Sequence, residues 1–366
     1  MSGLVGYVGY ECGALIEESV ALPASPYAMP DLYFGVYDGC VAFDIARRKA
    51  FIFSQDAAVG DALEEKLAGD RQSCRPDVGA FGPHISLTSK NEFRRAVETA
   101  IERIRDGEFY QANLSQRLIA DSARPFDAYA LFADATKASS AAYGAFLQLG
   151  ESQLLSLSPE RFFVVDSPRD GRRQSIVAEP IKGTRPRGRS KEEDETLLAA
   201  LISDAKDRAE NIMIADLTRN DLSRICADFS ILEDAICEPV SHANVHHLVS
   251  RISGGLCGDV DAVDALKALF PCGSITGAPK VQSMKAIAEI EGVGRGPYCG
   301  AIGYIDDRGG ADFSVAIRIA IAEGRRLTVP VGGGVTLRSD PQSEYEETIA
   351  KARGWLDVIG DRSCAE

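Results

Sequence analysis

DAKDRAENIMIADLTRNDLSRIC, residues 204–226, reads as one amphipathic helix, and the rest of the chain is read outward from it. Ala205, Ala209, Ile212, Met213 and Leu217 recur at spacings of three and four, the period of a helix face turned to a core. Asp216 falls on that stripe, where a buried carboxylate needs Arg219 or Asn220 as partner. Asp207 and Glu210 are three apart, so their carboxylates are neighbours on one side. The same spacing recurs at Glu344 and Glu347, in DPQSEYEETIAKA at residues 340–352. Two helices with such pairs facing each other would hold a hard cation such as Mg²⁺, which takes oxygen ligands, keeps several waters and is completed by an anionic substrate. Either pair alone is equally an ordinary solvated acidic face.

The 366 residues are enough for a large core, and 45% hydrophobic with 26% charged residues is ordinary for a soluble globular chain. A net charge of -14 argues against nucleic acid or an anionic membrane surface as partner, so any anion site must be a local basic pocket. No apolar run is long enough to span a membrane, and no secretory signal pattern opens the chain. The nine cysteines lack a CxxC pair and read as reduced thiols, which points to a cytoplasmic protein.

Residues 1–60 read as strands and turns, with DLYFGVYDGCVAFD and KAFIFSQ as a hairpin ladder. A strand beginning so near Met1 requires a pairing partner. The Gly/Pro-rich stretch 68–84 reads as a connector. Ser89 caps a helix that Gly107 stops, with Glu92 completing a capping box. EFYQANLSQRLIA alternates, with Tyr110, Ala112, Leu114 and Leu118 on one face and Gln111, Asn113, Ser115 and Arg117 on the other; the polar face is either wet surface or the floor of a site. Helices follow at 126–138, 191–203, 205–225, 261–270, 278–290 and 341–359, and DFSVAIRIAIA reads as one strand. Antiparallel-looking strands with helices grouped between them predict an α+β fold.

Lys182 stands in PIKGTRPRG, read as a basic loop, with Arg185 and Arg187 close by. A lysine beside other cations or desolvated is a candidate nucleophile. GSITGAPK at 273–280 fails the phosphate-loop spacing, although a helix N-terminus after it suits a carboxylate. Gly332–Gly334 offers a second place where backbone approaches an anion, and Arg318 suits a two-pronged pair with a carboxylate. His247, on a strand, is structural or catalytic.

Eight motifs in order, FYQANLSQR, SPERF, PIKGTRPRG, KDRAENIMIADLTRNDLSRI, GSITGAPK, YCGAIGY, AIRI and DPQSEYEETIAKA, resemble the chorismate-utilising enzymes from about residue 3 to 359. That family includes the anthranilate, aminodeoxychorismate, isochorismate and salicylate synthases. The resemblance implies one large α+β domain of two antiparallel β-sheets flanked by helices, with Mg²⁺ and the dicarboxylate chorismate as ligands. It implies Glu210 and Glu347 as Mg²⁺ ligands with Asp207 and Glu344 beside them or acting through water. By the same matching, Tyr298, Arg318, Gly333 and Lys351 hold substrate carboxylates, while Thr276, Gly277 and His247 lie near the ring.

Lys182 in PIKGT directs the resemblance to the aminodeoxychorismate synthases, since the similar anthranilate synthases usually read PIAGT. In the former the lysine attacks ring C2, Glu160 in SPERF protonates the departing C4 hydroxyl, and ammonia adds at C4. The resemblance further implies ammonia from a separate glutamine amidotransferase subunit or from solution. Members usually carry a further N-terminal segment, so residues 1–84 are expected to be a remnant of that sheet region and 85–360 the catalytic domain. The alternatives are an anthranilate synthase and a catalytically idle, partner-binding homologue.

Overall fold

The computed structural model describes residues 2–69, 78–139, 141–168, 173–242 and 245–360. Its strands begin with β1 (Gly3–Val8), β2 (Leu32–Tyr37), β3 (Gly39–Asp44), β4 (Lys49–Ser54), β5 (Ile85–Ser86) and β6 (Gln111–Asp121). The middle strands are β7 (Tyr143–Leu149), β8 (Ser152–Ser158), β9 (Arg161–Val165), β10 (Ser175–Ala178), β11 (Ile181–Pro186) and β12 (Leu232–Ser241). The last are β13 (Val245–Gly255), β14 (Gly277–Ala278), β15 (Ala301–Asp306), β16 (Ala311–Val315), β17 (Ile319–Glu323) and β18 (Arg326–Thr336). The helices are α1 (Gly13–Ile16), α2 (Ala57–Ala68), α3 (Lys90–Arg105), α4 (Ala128–Ala138), α5 (Lys191–Ser203), α6 (Ala205–Leu222), α7 (Ala262–Leu269), α8 (Lys280–Glu291) and α9 (Pro341–Leu356).

Two antiparallel sheets carry the fold, as the α+β reading requires. One runs β11-β13-β10-β9-β16-β15-β1-β2, with β12 also on β13; the other runs β14-β6-β18-β17-β8-β7, with β5 on β6. The main core lies between them: Tyr7, Phe163 and Phe313 of the first sheet pack with Leu154, Ile319 and Ile321 of the second. The outer face of the second sheet is covered by α4 and α9, where Leu131 and Trp355 meet Leu155 and Val329. A third cluster joins α3 and α8 to β6 through Phe93, Ile287 and Leu114. β1 has neighbours on both sides, β15 and β2, which supplies the partner its position near Met1 demands. β3 and β4 form their own hairpin, so β2 does not continue into it as a ladder.

The two sheets exchange strands at two adjacent crossings, and these locate the site. Ser158–Glu160 carries the chain from β8 in the second sheet to β9 in the first. Ala316–Arg318 carries it back from β16 to β17. Ser158 Oγ donates to Val315 O at 2.7 Å, Val315 N donates to Glu160 O at 3.1 Å, and Leu157 N donates to Arg318 O at 3.1 Å, so the crossings are tied together. DFSVAIRIAIA is therefore two strands in two sheets. Arg318, expected on a strand, sits at the break with φ 53°, in the left-handed region that costs a non-glycine residue energy.

Helix α6 departs from its predicted stripe. Its buried residues are Asn211, Ile214, Ala215, Asp221 and Leu222, while Ala205 and Ala209 are exposed and Ile212 is 47% exposed. The buried face carries polar side chains that bond to the sheet: Asn211 Nδ2 donates to Leu248 O at 2.9 Å and Asp221 pairs with Lys280 at 2.7 Å. A face satisfied by hydrogen bonds is invisible to hydrophobic periodicity. Asp216 is exposed rather than buried, and its partner is Arg219 at 3.1 Å. PIKGTRP is an edge strand, not a loop; its prolines, which cannot donate to a ladder, are tolerated there. Helix α2 and strand β12 lie where no element was expected, and most of the 68–84 connector lies outside the described residues.

Candidate active site

At the strand crossings a cavity of about 420 Å³ is enclosed by β11, α6, the 274–275 turn, β18 and α9. Lys182, Glu160, His247, Tyr298, Arg318 and Lys351 line it, together with the carboxylates of Asp207, Glu210 and Glu347.

Lys182 pairs with Leu248 of β13, and the ladder slips by one residue between Lys182 and Thr184. Gly183 occupies the bulge with φ 81°, and a Cβ there would stand 3.0 Å from Asp207 Cβ and from Leu201 Cδ1. Glycine thus serves both the bulge and the close approach of α6. The Lys182 ammonium donates to Ser274 O at 2.8 Å. Glu160 is 4% exposed, and burial raises its carboxyl above the ordinary value; the Ser274 hydroxyl and then the Lys182 ammonium pull against that rise. A buried carboxyl held toward its neutral form is suited to donate a proton. His247 Nδ1 shares a hydrogen with Thr184 Oγ1 at 2.9 Å, and burial lowers its pKa to about 4, so the imidazole is neutral.

The acidic half of the cavity is shared by α6 and α9. Glu210 Oε1 and Glu344 Oε2 are buried without a hydrogen-bond partner. Burial raises both carboxyls, and Lys206 Nζ stands 3.9 Å from Glu210 Oε1 and 3.8 Å from Glu344 Oε1, between the two helices. Asp207 Oδ2 lies 3.0 Å from Arg185 Nη1, an ion pair that binds α6 to β11. Burial raises the Glu347 carboxyl, but the Lys351 ammonium at 2.6 Å from Oε1 outweighs it and leaves the group more acidic than usual. Among the described residues no three His, Cys, Asp or Glu side chains already stand in a ligating array. The donor set still fits a hard cation: it is all oxygen, partly orphaned, and already faces one ammonium.

The cationic half faces it. Arg318 forms no ion pair among the described residues and burial lowers its pKa; Nη1 reaches only Lys351 O at 3.5 Å. A desolvated guanidinium with no carboxylate in ion-pair contact, Glu347 acting on it only from farther off, is poised for an anionic ligand. Gly332 and Gly334 line the cavity, whereas Gly333 turns to the carboxylates, with a would-be Cβ 3.1 Å from Glu344 Oε2.

Thr276 and Gly277 stand behind the wall rather than on it. Thr276 is fully buried and its hydroxyl donates to Cys272 O at 2.9 Å. Gly277 has φ 139° and a would-be Cβ 2.1 Å from Gln111 O, so it serves the pairing of β14 with β6. Lys280 is buried against Asp221 and Leu269 O, away from the cavity. Sequence reasoning passed over Lys206, whose signal was the i, i+4 spacing to Glu210, and Ser274, which carried none. Asn113, on the polar face of β6, does reach the cavity floor.

The chain is similar to an aminodeoxychorismate synthase of Streptomyces griseus, 37% identical over 98% of this chain and 50% of that one. It is also similar to an anthranilate synthase component 1 of Synechocystis sp., 33% identical over 98% of this chain and 76% of that one. The crystal structure of anthranilate synthase component I from Streptococcus pneumoniae superposes with a TM-score of 0.86 at 32% identity, covering 97% of this chain and 80% of that one. This chain therefore spans half the length of the first relative and about three quarters of the second. A family profile described as chorismate binding enzyme matches residues 1–357, and with the fold and these identities it places the chain in the chorismate binding enzyme family.

Proposed function

We propose that this chain is an aminodeoxychorismate synthase component I, which converts chorismate and ammonia to 4-amino-4-deoxychorismate on the way to 4-aminobenzoate and folate. The ammonia would come from a glutamine amidotransferase subunit. The observation that carries this reading is the Lys182 amine inside the cavity, beside a buried Glu160 carboxyl and opposite an unpaired Arg318.

Arg318 receives one substrate carboxylate, with Tyr298 and the backbone at Gly332 and Gly334 alongside. Glu210 and Glu347 would hold Mg²⁺, with Asp207 and Glu344 beside them or acting through water. The ion, when bound, would supply charge neutralisation for the second carboxylate. Once the Lys182 ammonium has given one proton to solvent, its free amine forms a bond to ring C2; the ring π electrons shift, and the C4–O bond breaks. Glu160 gives its proton to the departing hydroxyl, which leaves as water. Ammonia then bonds to C4, the electrons return, the C2–N bond breaks, and the proton shed by ammonia restores Glu160. Splitting one displacement into two steps through a covalent adduct lowers the barrier of each.

A second reading rests on the comparable identity to anthranilate synthases. There ammonia would attack C2 directly and pyruvate would be eliminated, with no task for the Lys182 amine. The two separate in one incubation of enzyme, chorismate, Mg²⁺ and ammonium with products resolved by mass spectrometry. 4-Amino-4-deoxychorismate as the main product is expected. Anthranilate as the main product overturns the first reading, and no chorismate binding at all would favour an idle homologue.

A further inference from the structure

A second cavity, of about 280 Å³, lies against the far side of the catalytic one; Tyr298 and Pro330 line both. Its apolar wall comes from Leu87, Phe93, Leu114, Ile290 and Val293. Four charged residues line it: Glu92, Arg117, Glu291 and Arg295. Glu92 is exposed and committed to the Ser89 capping box, and Glu291 and Arg295 neutralise each other at 2.6 Å. Arg117 is left with no ion pair among the described residues. Its guanidinium is the electrostatic and hydrogen-bonding neighbour of the buried Tyr27 hydroxyl, on which the Glu323 and Glu11 carboxylates also act more weakly. A guanidinium with no ion pair among the described residues, beside a buried hydroxyl on the wall of an apolar-lined chamber, is the complement of a small carboxylate with an apolar body.

The partition is not inert. Arg295 Nε donates to Glu291 Oε2 at 2.9 Å, while Nη1 reaches Ile275 O at 3.5 Å and Nη2 donates to Asn113 O. Asn113 and Ile275 line the catalytic cavity. Glu291 Oε1 in turn accepts from Ser115 N at 2.7 Å and Ser115 Oγ at 3.0 Å, on the wall of the second cavity. One buried ion pair therefore spans both chambers, and whatever shifts it moves the backbone that floors the catalytic cavity.

We infer that this second cavity binds a small organic carboxylate through Arg117 and Tyr27, and that its occupancy alters substrate binding next door through the Glu291–Arg295 pair. The binding half is independent of the proposed reaction; the coupling half rests on the first cavity being the chorismate site. Benzoate is the probe, titrated by calorimetry into the full-length protein, Arg117→Ala and Arg318→Ala. Benzoate affinity should fall at least about tenfold in Arg117→Ala and stay within threefold in Arg318→Ala, with chorismate KM in Arg117→Ala within twofold of the parent. Thr88→Trp, which fills the chamber from a different element, should give the same loss and guards against a folding defect in the arginine variant. Benzoate binding that is absent from the parent, or lost only in Arg318→Ala, overturns the site. If saturating benzoate leaves chorismate affinity unchanged while binding through Arg117, the coupling is overturned, because linkage is reciprocal.

Discussion

Lys182→Ala is the perturbation that separates the chemistry from the scaffold. The side chain makes one direct hydrogen bond, 2.8 Å to Ser274 O, and its ammonium partly offsets the burial-driven rise of the Glu160 and Glu210 carboxyls. Truncation leaves Ser274 O facing a cavity of about 420 Å³, large enough for water to replace the lost donor. The cost to folding is then about 1 kcal/mol or less, a small shift in melting temperature. The cost to the reaction is far larger, because no other amine on β11 can form the C2 adduct. Loss of a covalent nucleophile should lower kcat for 4-amino-4-deoxychorismate by on the order of 10³-fold or more, about 4 kcal/mol of transition-state stabilisation. Chorismate KM should change little, since Arg318 and the carboxylate helices remain. The assay is a discontinuous incubation read by mass spectrometry, paired with a search of the intact parent protein for a chorismate-derived adduct on Lys182. Aminated product within threefold of the parent rate would refute the nucleophile assignment, whatever the adduct search finds.

Glu160→Gln keeps shape and removes the proton, so kcat should drop about 10² to 10⁴-fold. In the parent, kcat should fall as pH rises through the elevated Glu160 pKa, a limb that the glutamine variant lacks. Arg318→Ala should raise chorismate KM by about 10 to 100-fold, the worth of one charge-assisted pair, as measured by initial rates. Chelation with EDTA should abolish turnover and Mg²⁺ restore it, while Glu210→Gln and Glu347→Gln should each raise the Mg²⁺ concentration needed for half activity at least about tenfold. His247 titrates near 4 when folded against an ordinary 6.5, so the unfolded chain binds the extra proton between those values. Its stabilisation is complete above 6.5 and disappears as pH falls toward 4, about 3 kcal/mol at most, and urea melts of His247→Gln should lack that slope.

The sequence announced its helices better than its crossings. Ser89 and Glu92 form the expected capping box, and helices α5 and α6 start at Lys191 and Ala205, as the expected ranges 191–203 and 205–225 have it. What periodicity could not carry was any segment whose burial is polar or whose path changes sheet. The inner face of α6 reads as hydrophilic because Asn211 and Asp221 are satisfied by Leu248 O and Lys280, bonds that depend on residues far along the chain. Arg318 looked like a strand residue because Val315 and Ile319 on either side are strand residues, but of different sheets. The acidic pairs at 207/210 and 344/347 were legible as pairs; that Lys206 stands between them was not, because it depends on how α6 and α9 approach. Thr276 and Gly277 lie beside the cavity lining rather than in it. Their motif reaches the cavity at Ser274 and Ile275, and the next turn goes to hold β14 against β6.

The division of the cavity into two halves accounts for how a protein of net charge -14 would receive a dianion. Arg318 sits desolvated at the crossing, its backbone oxygen held by Leu157 N and by Trp355 Nε1 at 2.9 Å, so the backbone that carries the guanidinium is fixed before any ligand arrives. The opposite half holds carboxylates whose repulsion is moderated by Lys206, Lys351, Lys182 and the Arg185 guanidinium on Asp207. A dianion alone would be opposed by that half, and a divalent cation alone would be opposed by the cationic half. Entering together, the two charges cancel, and each meets the half of opposite sign. Metal and substrate affinity should therefore be coupled, and the coupling follows from placement: one arginine pinned where two sheets exchange strands, and two acidic helices packed across from it.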